Sequence, residues 1–237
     1  MSLLREVASG VMGKLGFHEL HVESAIDIAE RFRHITVTSP TLRSCGTGDK
    51  VQLLVPGGTR TYSPFSFDAA RRALSFVVYV HGTTPGAAWG AGAKPGDVVR
   101  GFGPNSSLPL ASMNGPIVLV GDETSFGVAR SLLDHRGKDP QVDLIFEVTQ
   151  RASSIEALRA LDLATDGLVE RREGDAHLLQ VEERLRAALD GLGGAHLVLT
   201  GRAGTIQALR AALKSKTVAY AGQKNKAYWA PGKRGLD

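Results

Sequence analysis

Pro116-Ile117-Val118-Leu119-Val120-Gly121 is a continuous apolar run closed by glycine, and the stretch after it, Ser125 to His135, suits a helix. A strand apolar at every position must be covered on both faces, the condition met by a parallel sheet between two layers of helices. The alternation recurs downstream. Val142 to Val148 precedes Ser154 to Leu161, Gly167 to Arg171 precedes Leu178 to Leu189, and His196 to Thr200 precedes Thr205 to Leu213, with Thr217 to Tyr220 as a last strand. The second half of the chain therefore reads as a parallel-sheet α/β domain.

Upstream the pattern changes to short strand-like runs separated by turn residues. Phe17 to Ile26, Arg33 to Thr38, Val51 to Val55, Arg60 to Phe67, Leu74 to Val80 and Asp97 to Phe102 are punctuated by Pro40, Pro56-Gly57-Gly58 and Pro95-Gly96. Closely spaced strands without long helices between them predict an antiparallel barrel or sandwich. Before them, Leu3, Leu4, Val7, Val11 and Leu15 fall at helical spacing and end at Gly16, which predicts a short amphipathic helix. The seam lies near Met113-Asn114-Gly115, giving domains 1–113 and 114–237.

A length of 237 residues suits one large domain or two modest ones, and 43% hydrophobic against 22% charged residues is a globular composition. The single cysteine, Cys45, excludes a disulfide framework, a cysteine-rich zinc site and a plant-type iron–sulfur cluster. Any redox chemistry must then use an organic cofactor. His18 and His21, three apart on a strand pattern, point to opposite faces, so no metal site is expected. Charges in Met1-Ser2-Leu3-Leu4-Arg5-Glu6 interrupt any signal-peptide core, and no apolar run approaches the roughly 18 residues of a membrane span, so the expectation is a cytoplasmic protein with no stable membrane insertion. The net charge of +4 gathers after residue 202, where no recognition helix or aromatic-basic repeat accompanies it, so nucleic acid is not an expected partner.

Three short stretches carry possible chemistry. In Arg60-Thr61-Tyr62-Ser63-Pro64, strand alternation sends Arg60 and Tyr62 to one face, where a guanidinium pairs with phosphate and a ring stacks on a planar ligand; a barrel tyrosine beside an unrelated surface arginine fits the same residues. In His81-Gly82-Thr83-Thr84-Pro85-Gly86-Ala87-Ala88-Trp89, a tight loop leads into a short helix from Ala87 whose free amides face a phosphate, or else into an ordinary turn with a core tryptophan. Gly121-Asp122-Glu123-Thr124-Ser125 opens the first helix of the α/β half at a strand's carboxyl end, but lacks the G-x-G-x-x-G spacing.

In this order the motifs resemble the siderophore-interacting protein family of the ferredoxin-reductase superfamily, and the likeness covers nearly the whole chain. Arg60-x-Tyr62-Ser63 matches that family's R-x-Y-[ST] flavin motif. Val80-His81-Gly82 through Pro85-Gly86 and Trp89 is similar to its second flavin loop, Pro95-Gly96-Asp97 and Gly103-Pro104 to its next barrel segment, and Gly121-Asp122-Glu123-Thr124 to the opening of its nucleotide domain. Ala227-Tyr228-Trp229 and Gly232 resemble its G-Y-W-x-x-G tail. The chain departs from the pattern at Thr83-Thr84, at Phe65-Ser66-Phe67 and at Gly201-Arg202, where the family carries Asp-Gly, an arginine and a G-E pair.

The resemblance implies an N-terminal FAD-binding β-barrel followed by an NAD(P)H-binding-type α/β domain. It implies that Tyr62 stacks on the flavin, Arg60 pairs with the pyrophosphate and Ser63 lies near the flavin N5, with Thr61 on the same strand. Val80, His81, Gly82, Pro85, Gly86, Ala87, Ala88 and Trp89 wrap the rest of the cofactor, and Thr124 lies beside flavin and nicotinamide. The implied activity is electron transfer from NAD(P)H, or ferredoxin, through FAD to Fe(III) in a siderophore, with Tyr62, Ser63 and Thr124 nearest the chemistry. Lys224, Lys226, Lys233 and Arg234, around Tyr228-Trp229, are the candidates for attracting an anionic ferric chelate. The alternatives are a FAD-containing reductase serving an oxygenase or ferredoxin, and a non-catalytic flavin or ferric-chelate binding module. Arg151 or Arg171-Arg172 are candidates to hold a 2′-phosphate, but arginines at helix ends are common, so the donor stays open.

Overall fold

Seven antiparallel strands build the first half: β1 (Phe17–Ala29), β2 (Phe32–Thr38), β3 (Asp49–Val55), β4 (Gly58–Tyr62), β5 (Pro64–Asp68), β6 (Ala73–Tyr79) and β7 (Val98–Ser106), in the order β4-β3-β7-β1-β2-β6-β5. The two ends of that order, β4 and β5, are consecutive in the chain and joined by Ser63 alone. Two Cα steps reach at most about 7 Å, so the sheet must curl until its edges meet, as in a barrel. The expected single strand from Arg60 to Phe67 is thus two strands. The corner needs a residue outside both ladders, and Pro64 has no amide with which to continue the first one. Leu20, Ile35, Val37, Leu53, Leu74 and Phe76 fill the interior.

One helix, α1 (Pro85–Gly92), lies against this sheet. Its sequence, Pro-Gly-Ala-Ala-Trp-Gly-Ala-Gly, is a poor helix former, since each interior glycine costs about 1 kcal/mol relative to alanine. Its ends hold it instead. Pro85 opens it, the Thr84 hydroxyl accepts from the Ala87 amide at 3.3 Å, and Arg33 Nη1 donates to the carbonyls of Gly90, Ala91 and Ala93 at 2.6, 3.0 and 2.9 Å. Asp27 steadies the same guanidinium through Nε at 2.7 Å.

The second half is a five-stranded parallel sheet in the order β10-β9-β8-β11-β12, built from β8 (Ile117–Asp122), β9 (Val142–Val148), β10 (Leu168–Glu170), β11 (His196–Arg202) and β12 (Gly222–Trp229). Helices α2 (Phe126–Arg136), α3 (Arg151–Ala160), α4 (Leu178–Leu192) and α5 (Ala203–Ser215) alternate with the strands. Every residue of β8 is buried, as its apolar run requires. Val118, Val120, Ile145 and Leu199 pack with Val181, Leu185 and Leu189 of α4 and Ile206 and Leu209 of α5. Phe126 of α2 meets Phe146 edge-on, with ring centroids 4.9 Å apart.

The last strand is misplaced in the sequence reading. Residues 217–220 are not a strand, and β12 is the polar Gln223-Lys224-Asn225-Lys226 segment with its flanks. As an edge strand with only β11 beside it, β12 needs no apolar run and escapes a search for one. The structure describes residues 17–137 and 141–232 and divides into two compact units, one ending at Pro109 and one beginning at Leu110. The expected N-terminal helix, Leu3 to Leu15, and the candidates Lys233 and Arg234 lie outside the described residues. No helix among the described residues is long and apolar enough to cross a membrane, and no group of metal-ligating side chains occurs among them.

Candidate functional site

In the first unit Arg60 and Tyr62 sit on β4, paired across the ladder with Leu53 and Val51. Both reach the start of α1. A Cβ on Gly86 would lie 3.2 Å from Arg60 Cγ and 3.3 Å from the Tyr62 hydroxyl, so glycine there lets the helix backbone come down between them. The Tyr62 ring stacks on Phe76 with centroids 5.0 Å apart and meets Trp89 at 5.8 Å. Burial holds its phenol well above the ordinary tyrosine range, with the nearby Arg60 charge opposing, so it remains protonated.

This place suits an anion. Thr84 takes the Ala87 amide, Pro85 has none, and the Ala88 amide bonds Thr84 within the helix, which leaves the Gly86 amide without an acceptor among the described residues. Arg60 Nη1 donates to its neighbour's carbonyl at 2.6 Å, and the guanidinium has no carboxylate partner among the described residues. A free helix amide and an arginine side by side are the donor set a phosphate needs. The residues expected around a flavin therefore occupy one neighbourhood, although Gly86 and Ala87 are buried, Ala88 is exposed and Trp89 packs partly into the core. Ahead of the helix, Val80 donates its amide to Arg31 O at 2.8 Å, His81 stacks on Tyr79 at 4.8 Å, and Gly82 adopts φ 57°. Ser63 forms the corner between β4 and β5.

In the second unit the carboxyl ends of the strands hold a cluster that sequence reasoning did not assemble. Asp122, Glu123 and Glu147 are buried there around one cation, Arg171, at the end of β10. Arg171 Nη1 donates to Glu123 Oε2 at 2.9 Å and to Thr149 Oγ1 at 2.9 Å, while its Nη2 lies 3.5 Å from both Asp122 and Glu147. The guanidinium also lies 5.6 Å from the centroid of Trp229. Every carboxylate finds donors. Asp122 takes the Thr124 amide at 2.9 Å, the Thr124 hydroxyl and the Trp229 indole N–H at 2.7 Å; Glu123 takes the Thr149 amide at 2.6 Å; and Glu147 takes Thr205 Oγ1 and His177 Nε2, each at 2.7 Å. His177 Nδ1 faces the Arg172 amide at 3.2 Å, and its Nε2 meets Glu147.

Gly201 makes this packing possible, since a Cβ there would stand 2.4 Å from Asp122 Oδ2 and the backbone holds φ 92°. Next to it, Arg202 pairs with Asp175 through two bonds of 2.6 and 2.5 Å. Because β11 and β10 are separated by β8 and β9, that pair runs as a strap over the strand ends.

Burial, reinforced by the Glu123 charge, raises the Asp122 carboxyl from 3.8 to about 6, against the pull of Thr124, Arg171 and Trp229. The folded-state value exceeds the unfolded one, so the stability this group contributes is complete below pH 3.8 and is lost as the pH rises through about 6. Trp229 bonds this carboxyl directly. Its fluorescence is expected to titrate with a midpoint near pH 6 and to lose that step in Asp122→Asn; a flat profile in the parent protein refutes the assignment.

Of the residues expected to meet a substrate, Lys224 and Lys226 lie two apart on β12, opposite Val198 and Thr200, and are half-buried. Thr124 gives both its donors to Asp122. Glu147, His177, Asp175 and Arg33 went unnoticed in the sequence because nothing local marks them; each acts through a partner on another element.

Two family models match the chain: the siderophore-interacting FAD-binding domain over residues 55–108 and the siderophore-interacting protein model over residues 115–232. No curated protein matches. Among solved structures the chain is similar to a siderophore utilization protein from T. fusca (TM-score 0.70, 23% identity, 93% of this chain and 95% of that one). It is also similar to the siderophore interacting protein from Acinetobacter baumannii (0.69, 18%, 91% and 91%) and to the ferredoxin reductase in carbazole 1,9a-dioxygenase (0.71, 18%, 90% and 69%). At these identities the structures show a shared fold, that of ferredoxin reductases. With the two models together covering well over half of its length, the chain belongs to the siderophore-interacting protein family.

Proposed function

We propose that the protein is a cytoplasmic FAD-dependent oxidoreductase that passes electrons from NAD(P)H to Fe(III) held in a siderophore, releasing Fe(II). The observation that carries this reading is the meeting of Arg60, the free Gly86 amide and Tyr62 at the start of α1, within the stretch matched by the FAD-binding model. In this reading Arg60 and the Gly86 amide hold the cofactor's diphosphate, Tyr62 and Ser63 border its ring, and the loop from Val80 to Trp89 encloses the remainder. FAD, when bound, supplies the change from a two-electron donor to a one-electron acceptor. Tyr62 keeps its proton and takes no part as a base. Thr124, fixed by Asp122 at the opening of α2, presents a small side chain to the nicotinamide. Lys224 and Lys226, with Lys233 and Arg234, attract the anionic chelate and raise its encounter rate. Iron leaves because Fe(II) binds hard oxygen donors less tightly than Fe(III) does.

The test is the visible spectrum of the purified protein under anaerobic conditions. Flavin bands that bleach with NADPH or NADH and return with a ferric siderophore are expected. Bleaching that reverses only with a ferredoxin or oxygenase assigns the other acceptor, and bound flavin that neither nucleotide nor reduced ferredoxin bleaches makes the protein a binding module.

A further inference from the structure

Helix α1, Pro85-Gly86-Ala87-Ala88-Trp89-Gly90-Ala91-Gly92, carries no acid in its first turn and no base in its last. A helix dipole puts positive charge at the amide end and negative charge at the carbonyl end, and acids and bases of the helix itself commonly temper both. This helix supplies neither. Its carbonyl end is met from outside, by Arg33 of β2. Its amide end keeps the free Gly86 N–H beside Arg60, whose guanidinium has no carboxylate partner among the described residues.

Arg33 is well placed to govern the whole helix. Its side chain is 14% exposed, and while Nη1 donates to the Gly90, Ala91 and Ala93 carbonyls, Nη2 donates to Ala25 O at 3.1 Å, so one guanidinium ties the last turn of α1 to β1. The ion pair with Asp27 offsets little of this charge, because Asp27 is 76% exposed and screened by water. Next to the clamp the helix rests directly on the sheet, where a Cβ on Gly90 would stand 2.4 Å from Val78 Cγ1. Two glycine-rich turns do not hold a direction by propensity. Eight residues span about 12 Å, so a tilt of about 10° at the clamped end moves the far amides by about 2 Å, more than a hydrogen bond tolerates.

We propose that Arg33 is a positioning residue for the FAD diphosphate. From the carbonyl end of α1 it fixes the helix axis and matches the negative pole, so that the Gly86 amide and Arg60 present an unopposed positive end to the phosphates. Arg33 stands a helix length from those phosphates and acts through α1. The inference rests on the flavin reading above, but its test does not require turnover.

Full-length protein stripped of flavin is titrated with FAD by fluorescence quenching, and the saturated complexes are compared by phosphorus NMR of the diphosphate. Arg33→Gln is expected to weaken FAD binding about tenfold, and Arg33→Lys, which restores the charge without the planar fork, about threefold. In both variants the phosphorus signals move toward those of free FAD while the visible bands of the ring keep their positions, a pattern that a general loosening of the barrel does not give. Unchanged affinity in Arg33→Gln overturns the inference, as does a loss of affinity in which the phosphorus signals stay in place or the ring bands move with them. If thermal unfolding shows that the glutamine variant does not fold, the lysine variant decides, and parent-like affinity with parent-like phosphorus signals there means that Arg33 serves the fold alone. A parent that takes up no FAD sinks the flavin reading and this inference with it; a parent that binds FAD no better than its variants sinks this inference alone.

Discussion

Arg171→Met is expected to cost the second unit about 3–5 kcal/mol, the penalty for leaving buried charges without their counterion. Asp122, Glu123 and Glu147 are all nearly inaccessible, at 0, 3 and 1% exposure, and Arg171 is the cation shared by all three. Methionine keeps most of the aliphatic stem but ends short of the guanidinium that faces the Trp229 ring, so the loss reports chiefly the missing charge and its hydrogen bonds. Urea unfolding followed by tryptophan emission measures it. Arg171→Lys is expected to fall between, because an ammonium restores the charge but cannot donate to Glu123 and Thr149 while also facing Asp122 and Glu147. The carboxylates respond in a stated order. With the cation gone, Asp122, already raised to about 6 by burial and by Glu123, takes up its proton at higher pH still, so the variant is stabilised by acidification across the range in which the parent changes little. A loss below about 1 kcal/mol, the scale of an exposed ion pair, means that water reaches the cluster.

The same cluster shows which parts of the molecule a linear reading recovers. β8 betrays itself because every one of its residues is buried, and β9, buried from Leu144 onward, is found to the residue. Among the barrel strands with alternating burial, β3 is found to within two residues, while β7 runs four residues beyond its expected end at Phe102. What is lost depends on a partner distant in sequence. Ser63 is a corner only because β4 and β5 end at opposite edges of the sheet, a fact carried by the whole strand order. The polar β12 is a strand only because β11 offers it a ladder. Arg33 looks like a surface residue of β2 until α1 brings three carbonyls to it from more than fifty positions away. The flavin-site candidates were legible because the motif around Arg60 and Tyr62 and the loop from Val80 to Trp89 are contiguous pieces. Their meeting at Gly86 was not, since it needs the fold to bring them together.

That meeting gives the second large effect. Arg60→Ala is expected to weaken FAD binding by one to two orders of magnitude, because a hydrogen-bonded charge on a phosphate contributes about 1.5–3 kcal/mol and each 1.4 kcal/mol is tenfold. The protein should then emerge from purification nearly colourless while matching the melting temperature of the flavin-stripped parent, since Arg60 has no carboxylate partner among the described residues to lose and its Nη1 bonds the adjacent carbonyl. Gly86→Val reaches the same end by another route: the new side chain presses on Arg60 and the Tyr62 hydroxyl from contacts already at 3.2 and 3.3 Å, so it fills the space between them and turns the guanidinium away. Arg60→Lys discriminates between charge and geometry. Retention of most of the flavin by the lysine variant assigns Arg60 the part of a simple counter-charge, and retention of little assigns it paired donation to the diphosphate. Full flavin content in both Arg60→Ala and Gly86→Val removes the cofactor from this site, because no diphosphate held by the Gly86 amide tolerates the loss of its cation and the filling of its approach together.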